Sequence, residues 1–321
     1  MAFHPPKPTP KGLFRRTPPA IFPPILGLLG LSIAWRRGAG EFGLPQGLAE
    51  ALAGAVALLA LFAIVAYLAK FMRRPSVILD DLRILPGRAG IAAAVLCIYL
   101  LAGIFAPYSP AEARPILFLG MGVHAAVTAA VLYVFATGPA EQRRVNPVFQ
   151  LTFTGWIVAA TVAIGLGMTT LASILFWISL LSAVSIWVLQ MQQLSRETIP
   201  APLRPLLAIH LAPAALLGTV AAGFHSEAIW GTFALLSSVG ILALLAGAFW
   251  LLKAGFSPMW GALTFPLAAL ANFWLTLGDM WRIPGGIALV AATLIIPPIA
   301  IRIFKDWAKG QLAIKTNAAT A

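Results

Sequence analysis

Few side chains in this sequence could carry chemistry, and most of them lie outside its apolar stretches. His124 and His210 fall within apolar segments, and neither has a carboxylate at helical spacing. Asp80 and Asp81 form an acidic pair, but the third acid that a magnesium site on the same helix face would need is missing. We therefore predict packed or interfacial histidines. The acidic pair is predicted to form a solvated loop or the N-cap of an interfacial turn.

Motifs of the common hydrolases and nucleotide-binding proteins are also missing from the sequence. It contains no His-Glu-x-x-His, no Gly-x-Ser-x-Gly and no phosphate-binding loop. Cys97 is the single cysteine, so an intrachain disulfide is impossible. The pattern predicts a protein that is not an enzyme and has no metal or cofactor. A membrane-embedded enzyme or a structural subunit remains the alternative from another class, and a polar cluster at one depth would favour it.

The composition is that of a membrane protein. The chain has 321 residues, of which 60% are hydrophobic and 10% are charged, with a mean hydropathy of +0.91. Soluble chains carry about 25% charged residues. The apolar runs are continuous and do not alternate, which excludes a transmembrane β-barrel. The formal net charge of +12 follows the distribution typical of membrane proteins, so we predict no nucleic-acid partner. The predicted class is an all-α integral membrane protein.

Ten apolar segments can be marked along the chain, and very short gaps between several of them favour antiparallel helical hairpins. The predicted architecture is ten transmembrane helices arranged as five hairpins. The segments are 19–35, 48–72, 90–105, 116–136, 148–167, 171–190, 206–223, 229–252, 259–277 and 285–304.

Basic residues predict the orientation of these helices. If each of the ten segments crosses the membrane, successive loops lie on opposite sides. The side that holds both termini then has 18 of the 22 Lys and Arg residues. The positive-inside rule makes that side cytoplasmic. The expected organisation is a cytoplasmic tail over 1–18, a ten-helix domain over 19–306 and a cytoplasmic tail over 307–321. The expected location is multi-pass in a bacterial inner membrane.

Proline is concentrated in the odd-numbered segments. Pro23 and Pro24 lie in the first segment, Pro147 opens the fifth, Pro213 lies in the seventh and Pro266 in the ninth, whereas the second, fourth, sixth and eighth have none internally. The exceptions are the tenth segment, which contains Pro297 and Pro298, and the third, which has no proline. Proline bends a helix, and in lipid the freed carbonyl is tolerated only beside a neighbour or a wet cavity. The pattern favours an inner ring of bent odd helices around a central pore. The alternative is a solid bundle with scattered kinks.

The ninth segment is the strongest candidate for a lining element. It has 19 residues, 259–277, without an ionisable side chain, and it would rise roughly 28 Å as a helix. Phe265 precedes Pro266 near its middle, so a bulky ring is expected at the kink. Ordinary packing of Phe265 is the alternative. Thr152 and Thr264 are further candidates to line the pore from odd segments.

Short motifs spread over most of the chain resemble the tellurite-resistance/dicarboxylate transporter family, which includes yeast malate and sulfite transporters and plant slow anion channels. Matching motifs lie in the first, seventh and ninth segments and in the loop after the second segment. The matching residues are Phe22, Leu26-Gly27-Leu28, Leu31, Ala34-Trp35, Tyr67, Lys70, Asp81, Pro86, Arg204-Pro205, Ala212-Pro213, Trp260 and Thr264-Phe265-Pro266.

The resemblance implies five hairpins around a central pore, assembly as a homotrimer, and a pore plugged by Phe265. The expected function is an anion channel or channel-like transporter of the inner membrane, with small inorganic or organic anions as its partners. The alternative is a proton-coupled exporter of C4-dicarboxylate, sulfite or tellurite. The candidate pore-lining residues are Phe22, Gly27, Thr152, Pro213, Thr264 and Pro266.

Overall fold

The computed structural model describes residues 12–321, and no β-strand occurs among them. The first 11 residues of the predicted N-terminal tail lie outside this range. The α-helices are α1 (Phe22–Phe42), α2 (Gln46–Arg73), α3 (Val77–Arg83), α4 (Leu85–Phe105), α5 (Pro110–Thr137), α6 (Trp156–Gly165), α7 (Thr169–Leu194), α8 (Leu211–Gly223), α9 (Glu227–Ala246), α10 (Ala248–Leu251), α11 (Thr264–Leu277), α12 (Arg282–Ala308) and α13 (Gln311–Lys315). Shorter helices are the 3-10 helices Pro19–Ile21, Ala140–Arg143, Ala201–His210, Pro258–Leu263 and Asp279–Trp281, and the π-helix Gln150–Thr154.

Nine helical stretches in the described part of the chain are long and apolar enough to cross a membrane. They correspond to nine of the ten predicted segments. The fifth segment is helical over Gln150–Gly165, which is shorter than the spans. Its first turn is a π-helix, and α6 ends at Gly165. The all-helical membrane class is therefore confirmed, with nine full-length candidate spans and one shorter apolar helix.

Burial separates the helices into two groups. The most apolar windows of α1, α4, Ala201–Gly223 and Pro258–Leu277 are 61–78% buried. The corresponding windows of α2, α5, α7, α9 and α12 are only 17–39% buried. Side chains such as Leu181 and Leu242 on the second group are exposed and apolar, as expected for surfaces that face hydrocarbon.

Three of the four buried stretches change from a 3-10 helix to an α-helix close to a proline. A 3-10 helix precedes α1, α8 and α11, and Pro23, Pro213 and Pro266 each lie in the first turn of the α-helix that follows. The first-turn N–H groups have no partner inside an α-helix, so proline removes no hydrogen bond there. The stretch Pro258–Leu277 is helical throughout, as predicted, and the bend at Pro266 stays a prediction. The irregularity is a 3-10 helix that ends at Leu263, and α11 begins at Thr264.

The acidic pair also differs from the expectation of a solvated loop. Asp81 is fully buried and forms a 2.7 Å ion pair with Lys70, which is equally buried. Tyr67 donates a hydrogen bond to the same carboxylate oxygen, and Lys70 also donates to the carbonyl of Thr17. Hydropathy alone assigned these groups to a loop, but the last turn of α2 folds over α3 and removes them from water. Asp80 is half-exposed and pairs with two arginines, closer to the prediction.

The last residues of the chain pack back onto this ion pair. Leu312 and Ala313 of α13 are buried, and the backbone N–H of Ala319 donates to Asp81 Oδ1 at 2.9 Å. The N–H of Ala321 donates to the carbonyl of Arg15. The two ends of the described chain therefore lie together at one end of the bundle, which we call the tail end.

The buried pair generates a stability prediction. Asp81→Asn leaves the Lys70 ammonium without a counter-charge in a dry site, so we expect the free energy of unfolding to fall by about 3–5 kcal/mol. Asp80→Asn removes the same charge from a half-exposed position and should change it by at most about 1 kcal/mol. Thermal unfolding of the purified variants measures both changes. Equal effects of the two substitutions would contradict the central role of the buried pair.

Candidate functional site

The beginning of α11 is fixed against α1 by one hydroxyl group. Thr264 donates to the carbonyl of Gly261 at 2.7 Å, and its hydroxyl also lies 3.1 Å from the carbonyl oxygen of Pro23. Thr264 is fully buried. Its hydroxyl therefore stays hydrogen-bonded in an apolar region and sets the rotation of α11, which turns the next residue, Phe265, toward the centre of the bundle.

Two glycines of α1 allow α11 to approach closely in this orientation. A Cβ atom added at Gly27 would lie 2.3 Å from Thr264 Cβ, and one added at Gly30 would lie 3.1 Å from Phe265 Cδ2. The first distance is a hard clash and the second is a tight contact. Close approach of helices through small residues is the usual packing mode in membranes. The Phe265 ring thus lies directly on the backbone of α1.

Phe265 lies where three cavities meet. A tail-side cavity of about 30 Å³, a middle cavity of about 10 Å³ and an arginine-side cavity of about 400 Å³ surround it. Among the described residues, Phe265 alone lines all three. It is only 5% exposed. The ring therefore fills the narrow region between a small apolar cavity at the tail end and a larger one at the opposite end.

The arginine-side cavity is lined by five helices, namely α1, α4, α6, α8 and α11. Arg36 and Arg37 are its charged lining residues. Arg36 forms a bidentate ion pair with Glu50 at 2.7 Å and also donates to the carbonyl of Ile104. Arg37 donates from Nε to the neutral amide oxygen of Asn272 at 3.2 Å and forms no ion pair within the described residues. Positive charge at this mouth is therefore less compensated on Arg37 than on Arg36.

Sequence reasoning missed this pair because it ended the first segment at Trp35. In the structure α1 continues to Phe42, so both guanidinium groups belong to a membrane-spanning helix. Glu50, the partner of Arg36, also accepts a hydrogen bond from the Tyr108 hydroxyl. That carboxylate raises the pKa of the exposed Tyr108. The Arg-Arg-Gly run at the end of an apolar segment was the available signal, but it does not show whether a helix continues.

The remaining predicted site residues divide into two groups. Pro266 lines the tail-side cavity and Pro213 lines the middle cavity, both beside Phe265. Phe22 packs edge-on against Tyr67 with ring centroids 6.1 Å apart. Thr152 is buried in the π-helix. Neither Phe22 nor Thr152 lines any of the three cavities.

The two histidines are packed, as predicted. His124 is held by the Tyr99 hydroxyl at 3.0 Å and by the carbonyl of Thr152 at 2.8 Å, and its ring stacks on Trp156. His210 Nδ1 lies 3.4 Å from the side-chain nitrogen of Gln150. The contact between His210 and Gln150 joins the π-helix Gln150–Thr154 to the end of the 3-10 helix Ala201–His210, which precedes α8.

The apolar spans, the irregular inner helices and the cavities that meet at one aromatic ring define a class of helical membrane transport proteins. Comparison with protein families places the chain within that class. Residues 16–304 match the family model described as SLAC1, voltage-dependent anion channel. The chain therefore belongs to this family, which confirms the resemblance found in the short motifs. A search of curated proteins gave no match. The family consists of channels and transporters and not of enzymes.

Contact between α1 and α11 generates a second prediction. Gly27→Ala places a methyl group against Thr264, and we expect it to lower the free energy of unfolding by about 1–3 kcal/mol, the usual range for overpacking. Gly54→Ala is the matched control because Gly54 lies on the exposed face of α2 with open space around it. That change should be neutral or stabilise by up to about 1 kcal/mol.

Thermal unfolding of both variants in the same detergent provides the measurement. If Gly27→Ala and Gly54→Ala unfold at the same temperature, the close packing of α1 on α11 is not a determinant of stability.

Proposed function

We propose that the protein is an anion channel or channel-like transporter whose pore runs along the three cavities and is closed by Phe265. The observation that carries the proposal is the position of this ring between cavities on either side. A ring in a narrow apolar passage blocks ions in two ways. It occupies the cross-section, and it keeps the passage dry, so that an anion would have to lose its hydration to enter.

The proposed pore is surrounded by the odd helices of a ten-helix, five-hairpin bundle. Support comes from the high burial of these helices and from the five helices that line the arginine-side cavity. Gln150–Gly165 would serve as the fifth crossing. An even number of crossings agrees with the proximity of Arg15 and Ala321 at the tail end. Of the predicted pore-lining residues Phe22, Gly27, Thr152, Pro213, Thr264 and Pro266, Pro213 and Pro266 line the three cavities and are kept as proposed lining residues, whereas Gly27 and Thr264 are proposed to position Phe265 beside them.

The excess of basic residues supports a cytoplasmic tail end, with a bacterial inner membrane as the proposed location. The proposed transmembrane domain is 19–306, flanked by tails over 1–18 and 307–321. The family resemblance supports a homotrimer, in which each chain would hold its own pore.

Charges around the proposed pore favour a channel over a proton-coupled exporter of dicarboxylate, sulfite or tellurite. Among the described residues that line the three cavities, none is Asp, Glu or His. Coupled transport of protons requires a group that binds and releases them along the path. An apolar passage with an arginine at one mouth instead suits anions that bind weakly and leave quickly.

Phe265→Ala tests the gate. Removing the ring joins the cavities and should raise basal anion conductance in planar bilayers at least several-fold, because the passage becomes wide enough to stay hydrated. Phe265→Leu restores part of the blocking volume and should give an intermediate conductance. Chloride currents of the purified protein are the measurement.

Phe273→Ala is the matched control on the same helix. Phe273 is fully buried against Gly218 and lines none of the three cavities. Its loss should lower the free energy of unfolding by about 3–5 kcal/mol without raising conductance. If Phe265→Ala assembles normally and conducts no more than the wild type, the ring is ordinary packing and the proposed gate is wrong.

Arg37 provides a test of the permeant charge. Arg37→Gln removes the less compensated charge at the wide mouth, so in the Phe265→Ala background anion conductance at low salt should fall by roughly two- to tenfold through lost steering. The difference should shrink in molar salt, where charges are screened. Arg114→Gln is the control, since Arg114 is exposed on α5 and does not line the cavity. A cation-selective current, or equal effects of both substitutions, would contradict anion entry at this mouth.

A further inference from the structure

A separate cavity lies at the tail end of the bundle, among the loops that join its helices. It has a volume of about 460 Å³, within the range of small-molecule sites. We call it the loop cavity. Its lining comes from the junction of α3 and α4, from residues between 141 and 147, and from the end of α7 with the residues that follow it. Of the described residues, only Leu206 also lines the tail-side cavity, and none lines the middle or arginine-side cavity, so the loop cavity lies outside the proposed pore.

Arg88 brings a buried positive charge to the loop cavity. It is only 3% exposed, and it forms no ion pair among residues 12–321. Lys70, which is also buried at this end, has the Asp81 carboxylate 2.7 Å away. Burial of a charge costs free energy unless an opposite charge and hydrogen bonds accompany it. Arg88 therefore lacks the counter-charge that Lys70 has.

Contacts of the Arg88 guanidinium leave one of its nitrogens without a partner. Nε donates to the carbonyl of Leu82 at 3.1 Å, Nη1 donates to the carbonyl of Gln142 at 3.4 Å, and the guanidinium carbon lies 4.6 Å from the centroid of the Phe135 ring. Nη2 makes no hydrogen bond within the described part of the chain, and it is not among the unpaired polar atoms that the chain encloses completely. Because guanidinium nitrogens are always donors in proteins, Nη2 offers its N–H groups to an occupant of the loop cavity.

A second arginine of the loop cavity is only partly compensated. Arg83, the last residue of α3, lines the cavity and pairs through Nη1 with Asp80 at 3.1 Å. Asp80 also pairs with Arg74 at 2.8 Å, so a single carboxylate serves two guanidinium groups. Arg83 therefore adds positive charge to the side of the cavity that holds Arg88.

Acidic side chains also line the loop cavity, but they do not neutralise Arg88. Glu197 forms an ion pair with Arg144, another lining residue, and these two charges cancel. Glu141 is exposed and forms no ion pair within residues 12–321. The charged lining residues are thus three arginines and two glutamates, and the excess positive charge lies beside α3 and α4.

We propose that the loop cavity binds a phosphate group, carried either by a lipid headgroup or by a soluble phosphorylated compound. The planar guanidinium group matches the oxygens of a phosphate. A phosphate has several acceptor oxygens and up to two negative charges, so one group can pair with Arg88 and Arg83 together, whereas a chloride ion carries a single charge. Apolar lining residues such as Leu203 and Ile199 contact the rest of the molecule. Binding at this site does not depend on the proposed channel activity.

Thermal unfolding of the purified full-length protein in detergent tests the soluble source. Chloride in the buffer is replaced by inorganic phosphate at constant pH and ionic strength. A ligand that binds only the folded state raises the unfolding temperature, and we expect a rise of several degrees. Phosphate also stabilises folded proteins because it is excluded from their surfaces, but that effect is common to all variants.

Substitutions separate binding from this general effect. Arg88→Gln should keep only the general effect. Arg83→Gln should reduce the rise, and because this side chain is half-exposed we expect the variant to fold. Arg196→Gln is the matched control, because Arg196 is exposed and does not line the loop cavity, although the next residue, Glu197, does. Its rise should equal that of the wild type.

Phosphatidic acid and a diacylglycerol with the same acyl chains test the lipid source, since the two lipids differ only in the phosphate. Native mass spectrometry of the full-length protein measures how much of each lipid stays bound. For a lipid source, we expect the wild type and Arg196→Gln to retain several-fold more phosphatidic acid than diacylglycerol. Arg88→Gln should retain the two lipids equally.

The two measurements together decide both the site and its source. A phosphate-dependent rise that requires Arg88, without a preference for phosphatidic acid, supports a soluble compound. A preference for phosphatidic acid that requires Arg88 supports a lipid headgroup. A rise or a preference that is unchanged in Arg88→Gln would place the phosphate elsewhere and overturn the proposal. If Arg88→Gln fails to fold, equal rises in the wild type and Arg83→Gln, together with equal retention of both lipids by the wild type, would overturn it as well.

Discussion

The rest of the structure depends on the close approach of α1 to α11. Gly27 and Gly30 bring the α1 backbone against Thr264 and Phe265, at distances that no larger residue would allow without a shift. In a membrane, helices gain little hydrophobic energy from each other, so such dispersion contacts and the Thr264 hydroxyl bonds decide which faces meet. The same contacts aim one aromatic ring at the centre of the bundle. Packing and the proposed closure of the pore therefore have a common cause.

The helical membrane class could be predicted from the sequence because the length and hydropathy of an apolar segment determine whether it can span a bilayer as a helix. It failed where a charge lies at a helix end. Lys70 and Asp81 looked like loop residues, yet they are buried together, since a nearby opposite charge and three further hydrogen bonds make burial tolerable. Arg36 was assigned to a loop for the same reason. Its partner Glu50 lies on another helix, and hydropathy averages contain no information on such pairs.

The candidate site was predictable only in part. Phe265 could be found because the adjacent proline marks irregular backbone, and irregular backbone at membrane depth must face protein or a cavity. The contact of His210 with Gln150 could not be found from the sequence, because it joins residues 60 positions apart on separate helices. Phe22 carried a family motif but packs on Tyr67 away from the cavities. A motif thus locates a helix in the family pattern without showing which way each side chain points.

The proposed gate makes an unusual demand on its surroundings. A core ring is normally enclosed on all sides, as Phe273 is, and its removal leaves a void. Phe265 is also buried, but it lines three cavities, and a Cβ atom at Gly30 of α1 would lie within 3.3 Å of its ring. A ring that borders cavities loses fewer dispersion contacts when it changes rotamer than a ring that is enclosed on all sides. Since Gly30 has no Cβ, no side chain at that position of α1 opposes a movement of the ring. Free volume beside one ring, within helices that Gly27 and Thr264 hold together, is what the proposed gate requires if it is to open without unfolding its frame.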